Sequence, residues 1–318
     1  MSDLALAVYA SETGTHLVRA PSDRRYLAHV RSFDARAYEQ RLVAAGFRFL
    51  ARSAPAFPSL LHAIHDPPPG LFLRGGADTE LLSRPAVAIV GARACSGYGA
   101  SVARMLGREL ARAGLLVVSG LARGVDAEAH RGALEAGAAT VAVLGCGIDR
   151  DYPAAHAQLA RRIAETGLVV AEYAPGVEPA PWRFPARNRI VAGLCAAAVV
   201  VEARERSGAL ITADLALEEG REVFAVPGEI GSALSAGTNG LLKLGAAPLT
   251  APADVLASFG LEEAGRTVDD DGLLDLLPAT ADELVRRTGM TAADVARALV
   301  ELELAGAAAA QDGVYRVR

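Results

Sequence analysis

From Ala86 onward, apolar residues fall in short unbroken runs: Ala86–Val90, Leu115–Ser119, Thr140–Leu144, Leu168–Glu172, Ala197–Glu202 and Glu222–Val226. Between these runs the apolar positions recur at helical spacing, as in Ala100–Ala113, Asp126–Ala136 and Ala209–Glu219. Runs without polar alternation predict strands covered on both faces. Their alternation with helices predicts a parallel sheet. The expected fold class is therefore α/β, a doubly wound parallel sheet.

The flanks follow other patterns. Asp34–Ala45 predicts an amphipathic helix through Tyr38, Leu42 and Val43. Pro55, Pro58 and Pro67-Pro68-Pro69 read as a lead-in that wraps the main domain. After the sheet, Gly260–Gly272 reads as an acidic linker. Beyond it, Thr280 and Glu283 form a capping box ahead of a helix ending near Arg287. Thr291 caps a second helix carrying Val295, Leu299 and Leu302 on one face, and Asp312-Gly313 is a hairpin turn signal. Helix, helix, hairpin is the outline of a winged helix. The expected division is a lead-in over 1–80, the sheet domain over 81–257, a linker over 258–271 and a winged-helix-like domain over 272–318.

Composition narrows the class. Of 318 residues, 52% are hydrophobic and 22% charged, enough for a sizeable core and unlike a disordered chain. The apolar run Ile190–Val201 spans 12 residues, too short for a bilayer, and the opening MSDLALAVYA does not read as a signal peptide. Cys95, Cys146 and Cys195 are far apart and form no CxxC, which argues against a disulfide framework or a zinc ribbon. A cytoplasmic location is the expectation. The net charge of −5 argues against a generally basic DNA-coating protein. The excess acid sits at the end: residues 258–318 carry 12 acidic and 6 basic side chains. Lys243 is the only Lys among 32 basic residues, so phosphate contacts must come from Arg, backbone amides or that one amine.

Loops that follow parallel strands gather at one edge of the sheet, where ligands bind. Four of them are rich in Gly and polar groups. Gly91–Gly99 fails the dinucleotide fingerprint GxGxxG, yet its glycines allow a helix N-terminus to face an anion, with Arg93 in the same space. The bland reading is a tight turn with a solvated Arg. Ser119–Asp126 leads to His130, read either as a polar rim or as an N-cap Asp126 with its i+4 partner. Gly145–Asp149 again places glycines at a strand end, and Ser207–Thr212 leads into a helix.

The most unusual stretch is PAPWRFPARNR, residues 179–189. Basic residues interleaved with aromatics suit nucleic acid, since bases stack on rings while guanidinium forks hold phosphate. The alternative is a Pro-rich connection pinned by buried aromatics. His62 and His65 lack a metal-ligand set around them, and no GxSxG, GxxxxGK[ST] or HExxH occurs. No catalytic acid–base pair, cofactor or metal site is indicated.

Together these stretches resemble the bacterial DNA-processing family DprA (also called Smf). The matching segments are AIVGARACSGYG, VVSGLARGVDAEAH, TVAVLGCGIDRDYP, FPARNRIVAGL, VVVEARERSGALITADLALEEGREVFAVPG and SAGTNGLLKLGAAPL, in the family's order. The resemblance implies a Rossmann-like fold that binds single-stranded DNA. It also implies a homodimer that protects incoming strands in natural transformation and helps load RecA. Carried over by position, the expected DNA-binding residues are Gly91, Arg93, Ser96, Gly120, Arg123, Arg187, Asn188, Arg189, Gly208, Thr212 and Lys243. Many relatives carry a helical SAM-like unit near the N-terminus, which residues 1–80 would hold in degenerate form. Relatives often have Lys or Asn after Tyr152-Pro153, where this chain has Ala154, Ala155 and His156, so that either one phosphate contact is missing or Arg161 or Arg162 replaces it.

Two other readings compete. A Rossmann-like nucleotide phosphoribohydrolase would need an acid three residues past Thr212, where Leu215 stands. A sequence-reading tail would place Ala292–Leu304 in the major groove. That helix sets one Arg297 against Asp294, Glu301 and Glu303, which phosphate would repel.

Overall fold

The computed structural model describes residues 2–15, 19–261, 272–304, 306–311 and 313–317. Most of the expected acidic linker (262–271) and Asp312 of the expected turn lie outside them. The chain divides into two units, Met1–Glu263 and Ala264–Arg318.

The first unit runs α1 (Asp3–Thr13), α2 (Arg24–Ser32), α3 (Ala35–Ala44), β1 (Phe47–Ala51), α4 (Ser59–His62), β2 (Gly70–Arg74), β3 (Ala86–Val90), α5 (Gly97–Arg112), β4 (Leu116–Ser119), α6 (Val125–Glu135), β5 (Thr140–Leu144), α7 (Ala157–Thr166), β6 (Leu168–Ala171), α8 (Arg183–Gly193), β7 (Ala197–Val200), α9 (Gly208–Glu218), β8 (Glu222–Ala225), α10 (Ala236–Lys243), β9 (Ala247–Pro248) and α11 (Pro252–Ser258). Across the sheet the strands lie in the order β1-β2-β6-β5-β4-β3-β7-β8-β9. The six predicted strands are all present and parallel. Both faces of β3 are covered, as its unbroken apolar run requires. Val87 and Ile89 join the layer holding Leu106 of α5 and Ala129 of α6. Ala88 and Val90 join the layer holding Ile190 of α8 and Ala213 of α9.

The N-terminal region departs from a simple lead-in. Strands β1 and β2 pair antiparallel with each other, and β2 pairs antiparallel with β6, so one flank of the sheet is mixed. The run Gly70–Leu73 is fully buried, and its pairing covers what would be an open edge of β6. Helix α1 gave no amphipathic signal because Leu4 through Val8 are all buried, leaving no polar face to set a period. Leu4, Ala7 and Val8 pack with Phe72 and Ile148 against the sheet.

His130, on α6, does not reach a groove rim. It is fully buried, with Nδ1 2.8 Å from the Thr140 hydroxyl, which itself donates to the Val117 carbonyl. Burial pulls its pKa down to about 3, with Arg187 and His156 adding to the effect. An unfolded histidine titrates near 6.5. The neutral ring therefore contributes stability that is complete above pH 6.5 and is lost as pH falls toward 3, by roughly 2 kcal/mol at pH 5. Urea unfolding of His130→Gln at pH 7.5 and pH 5 is expected to show a pH loss smaller than the wild type's by about that amount. An equal loss in both proteins would assign the acid sensitivity elsewhere.

The second unit is α12 (Ala281–Thr288), α13 (Ala292–Leu304), β10 (Ala308–Gln311) and β11 (Val314–Val317). Thr280 and Glu283 close the capping box on α12 as expected. Leu284, Val295, Leu299 and Leu302 form its core. β10 and β11 pair antiparallel, with Gly313 at φ 77°, a left-handed position that glycine adopts without strain. This is a winged-helix arrangement. Arg297 is engaged by Asp294, 3.2 Å away. No helix among the described residues is long and apolar enough to cross a membrane.

Candidate nucleic-acid interface

Strand order reverses beside β3: the chain proceeds outward through β4, β5 and β6, then returns through α8 to place β7 on the other side of β3. The crevice beyond these strand ends is the position where open α/β sheets bind ligands. Two adjoining cavities of about 300 and 310 Å³ lie there and share Arg93, Gly120, Phe184 and Arg187 in their walls.

Gly91 and Arg93 follow β3. Arg93 is exposed, with its guanidinium 5.3 Å from the centre of the Phe184 ring. Phe184 stacks in turn on exposed Tyr152 at 5.2 Å. Arg123, after β4, is also exposed and lines the second cavity. Gly208 and buried Thr212 line the first, and Ser207 caps α9 through the Ala209 amide. Asn188 donates from Nδ2 to the Gly208 carbonyl at 3.1 Å, tying α8 to the start of α9.

Other expectations are corrected. The helix N-terminus behind the glycine loop does not await an external anion, because buried Glu202 occupies it. Its carboxylate accepts from the Ser96 amide at 2.8 Å and the Ser96 hydroxyl at 2.5 Å, while Ser96 Oγ caps α5 through Gly99. Asp126 is not an N-cap: Gly124 holds that place at φ 74°, and Asp126 accepts from the Ala122 amide at 3.2 Å. Burial pushes its pKa up, opposed by Arg187 and the Ala122 amide. The Pro-rich stretch is no loop from Arg183 on, since it starts α8, where Pro185 in the first turn forfeits no helical hydrogen bond.

Arg187 and Arg189 are not an exposed pair. Arg187 is 4% exposed and donates to the Gly120 carbonyl at 2.7 Å and to the Val143 carbonyl, with its guanidinium forming the groove floor. A Cβ on Gly120 would collide with that guanidinium, which is why the position is glycine. Arg189, two residues on and so about 200° around α8, faces away from Arg187 and is outside the walls of either cavity. It binds Glu172 through two nitrogens at 3.1 and 2.5 Å and Asp66 at 3.1 Å. Lys243 is exposed beside a separate, wider cavity with Glu205, Asp214 and Leu244. Neither Arg161 nor Arg162 lines the groove, and His156 is turned inward, with Nδ1 2.9 Å from the Leu121 carbonyl.

Phe184 of the aromatic and basic stretch lines the groove, whereas three other groove residues escaped the sequence reading: Arg204, Arg206 and Tyr152. Arg204 and Arg206 are exposed just before the Ser207–Thr212 loop. The alternation Glu202-Ala-Arg204-Glu-Arg206 hid them among carboxylates. Of those, Glu202 points back to Ser96, so the local charge at the rim is more positive than the sequence suggests.

Comparison with known proteins places the sequence and the fold. Residues 48–260 match the family model for DNA recombination-mediator protein A, and residues 263–313 match the DprA winged helix domain. The chain is 48% identical to DNA processing protein DprA of Streptococcus pneumoniae over 203 residues, covering 64% of this chain and 71% of that protein. It is 37% identical to protein Smf of Escherichia coli, covering 97% and 86%. An X-ray structure of the S. pneumoniae protein superposes with a TM-score of 0.70 at 37% identity over 83% of this chain and 94% of that one. The Helicobacter pylori DprA structure, described for its single-stranded DNA binding mode, gives 0.61 at 32% identity over 67% and 95%. Sequence, fold and winged-helix unit thus lead to one conclusion: the chain belongs to the DprA/Smf family of DNA recombination mediators.

Proposed function

We propose that this protein binds single-stranded DNA in the groove at the β3/β7 switch point, protects incoming strands during natural transformation and helps load RecA. It acts in the cytoplasm, without catalysis or a cofactor, as a homodimer. The observation that carries the reading is the groove itself: exposed Arg93, Arg204 and Arg206 line its first cavity with Phe184, and Arg93 and exposed Arg123 line its second with the stacked Tyr152–Phe184 pair. Phosphates pair with the guanidinium groups and unstacked bases pack on the rings. A duplex keeps its base faces stacked internally and offers only edges and backbone, so it cannot use the rings. Exposed Leu217, Ile230 and Leu244 give the sheet domain an apolar surface suited to a second copy. The phosphoribohydrolase alternative is not favoured, because Leu215 packs partly buried against the core where an acid is required.

Gel shift with equal lengths of single- and double-stranded DNA tests the proposal. Single strands are expected to bind with clear preference, unaffected by ATP or EDTA, and a chain ended at Leu261 to bind within a few-fold. The removed tail holds twice as many acids as bases and offers phosphate little attraction. Equal affinity for duplex, or an absolute need for ATP, would overturn the reading.

A further inference from the structure

The strand ends beyond the groove continue toward β6, and one aromatic group stands there that the groove does not use. Trp182 precedes α8 and is 44% exposed. The Arg183 guanidinium lies 4.9 Å from its ring and 5.2 Å from the ring of Tyr173, which follows β6. Tyr173 meets Trp182 edge-on at 6.5 Å. The rings and the guanidinium brace one another, so the indole is held in place while nearly half its surface remains open. Arg150 is nearby through Glu178, whose carboxylate it pairs at 2.7 Å and whose backbone carbonyl accepts from Arg183.

Strand order arranges these groups in a line. Going from β7 through β3, β4 and β5 to β6, the strand ends carry Arg206, Arg93, Arg123, Tyr152 and Tyr173 with Trp182. Adjacent strands are about 4.8 Å apart, so the row from β7 to β6 spans roughly 20 Å. A strand seated on Arg93 and the Tyr152–Phe184 pair that continues in the same direction reaches Trp182 next.

We infer that Trp182, braced by Arg183, is a second stacking platform that takes a nucleobase where the single strand leaves the groove. This rests on the proposed binding of single strands. Stacking on an aromatic ring tolerates any base, and the site therefore extends the footprint without adding sequence preference. It adds no phosphate contact of its own, so it leaves the salt slope unchanged.

Trp182 is the only tryptophan in the chain, and its emission reports on this position alone. The full-length protein is titrated with oligothymidylates of 3 and 12 nucleotides carrying a 5′ fluorophore. Probe anisotropy measures binding, and unlabelled strands of the same lengths are used for Trp emission. The 12-mer is expected to quench Trp182 at saturation and the 3-mer to bind, more weakly, without quenching. Trp182→Ala is expected to weaken the 12-mer about 5-fold with an unaltered salt slope, and Trp182→Phe to restore most of the loss. Binding of the 12-mer with unchanged Trp182 emission would overturn the platform and leave the groove standing. An absence of any anisotropy change would overturn both.

Discussion

Arg189→Ala is expected to lower the free energy of unfolding by roughly 3–5 kcal/mol while leaving the salt slope of DNA binding at the wild-type value. Arg189 is 9% exposed and Glu172 5%, and the two are joined by a forked pair of hydrogen bonds with Asp66 as a third partner. Removing the guanidinium strips both bonds from a buried carboxylate, which is the costly way to break a buried ion pair. It also unties α8 from the segment that carries Asp66, ahead of β2. Arg189→Lys keeps the charge but not the fork and is expected to recover only part of the loss. Urea unfolding and a salt titration on the same preparations read both quantities. Wild-type stability with a shallower slope would mean that Arg189 leaves its carboxylates for phosphate.

The opposite pattern is expected when Arg93, Arg204 and Arg206 are all changed to Ala. These side chains are exposed and their loss leaves the core intact. Each phosphate neutralised on a single strand contributes about 0.7 to the slope of log K against log salt. Three lost contacts make the slope shallower by roughly 2 and weaken binding about 100-fold at 0.1 M salt. The melting temperature should stay near the wild type's. An unchanged slope would place the DNA somewhere other than this groove.

The parallel strands were legible because central strands must be apolar on both faces, and unbroken runs such as Ala86–Val90 have few other uses. The glycine loops were legible for a related reason, since close backbone approach at strand ends admits little else. Side-chain direction was not. Arg187 and Arg189 are two residues apart in one motif, yet one floors the groove and the other is held by Glu172 and Asp66. That difference depends on carboxylates and carbonyls from distant parts of the chain. Ser96 shows the same effect: its role is set by Glu202, which no local pattern connects to it. Helix α1 and the β1–β2 pair were missed because burial all round, or half-burial at an edge, leaves no period to read.

The position of the groove also dictates when it can form. Its two walls meet where residue 87 of β3 pairs with residue 197 of β7, among the most distant pairings in the sheet. Contacts of such high sequence separation form late, after local helices and neighbouring strands. During synthesis β4, β5 and β6 all emerge before β7, and until it does β3 has a bare edge of alanine, valine and isoleucine. The nascent chain thus carries an unpaired, apolar strand at the place where the groove will later form. That interval is its period of greatest exposure to mispairing with other chains, and it ends only when the groove is complete.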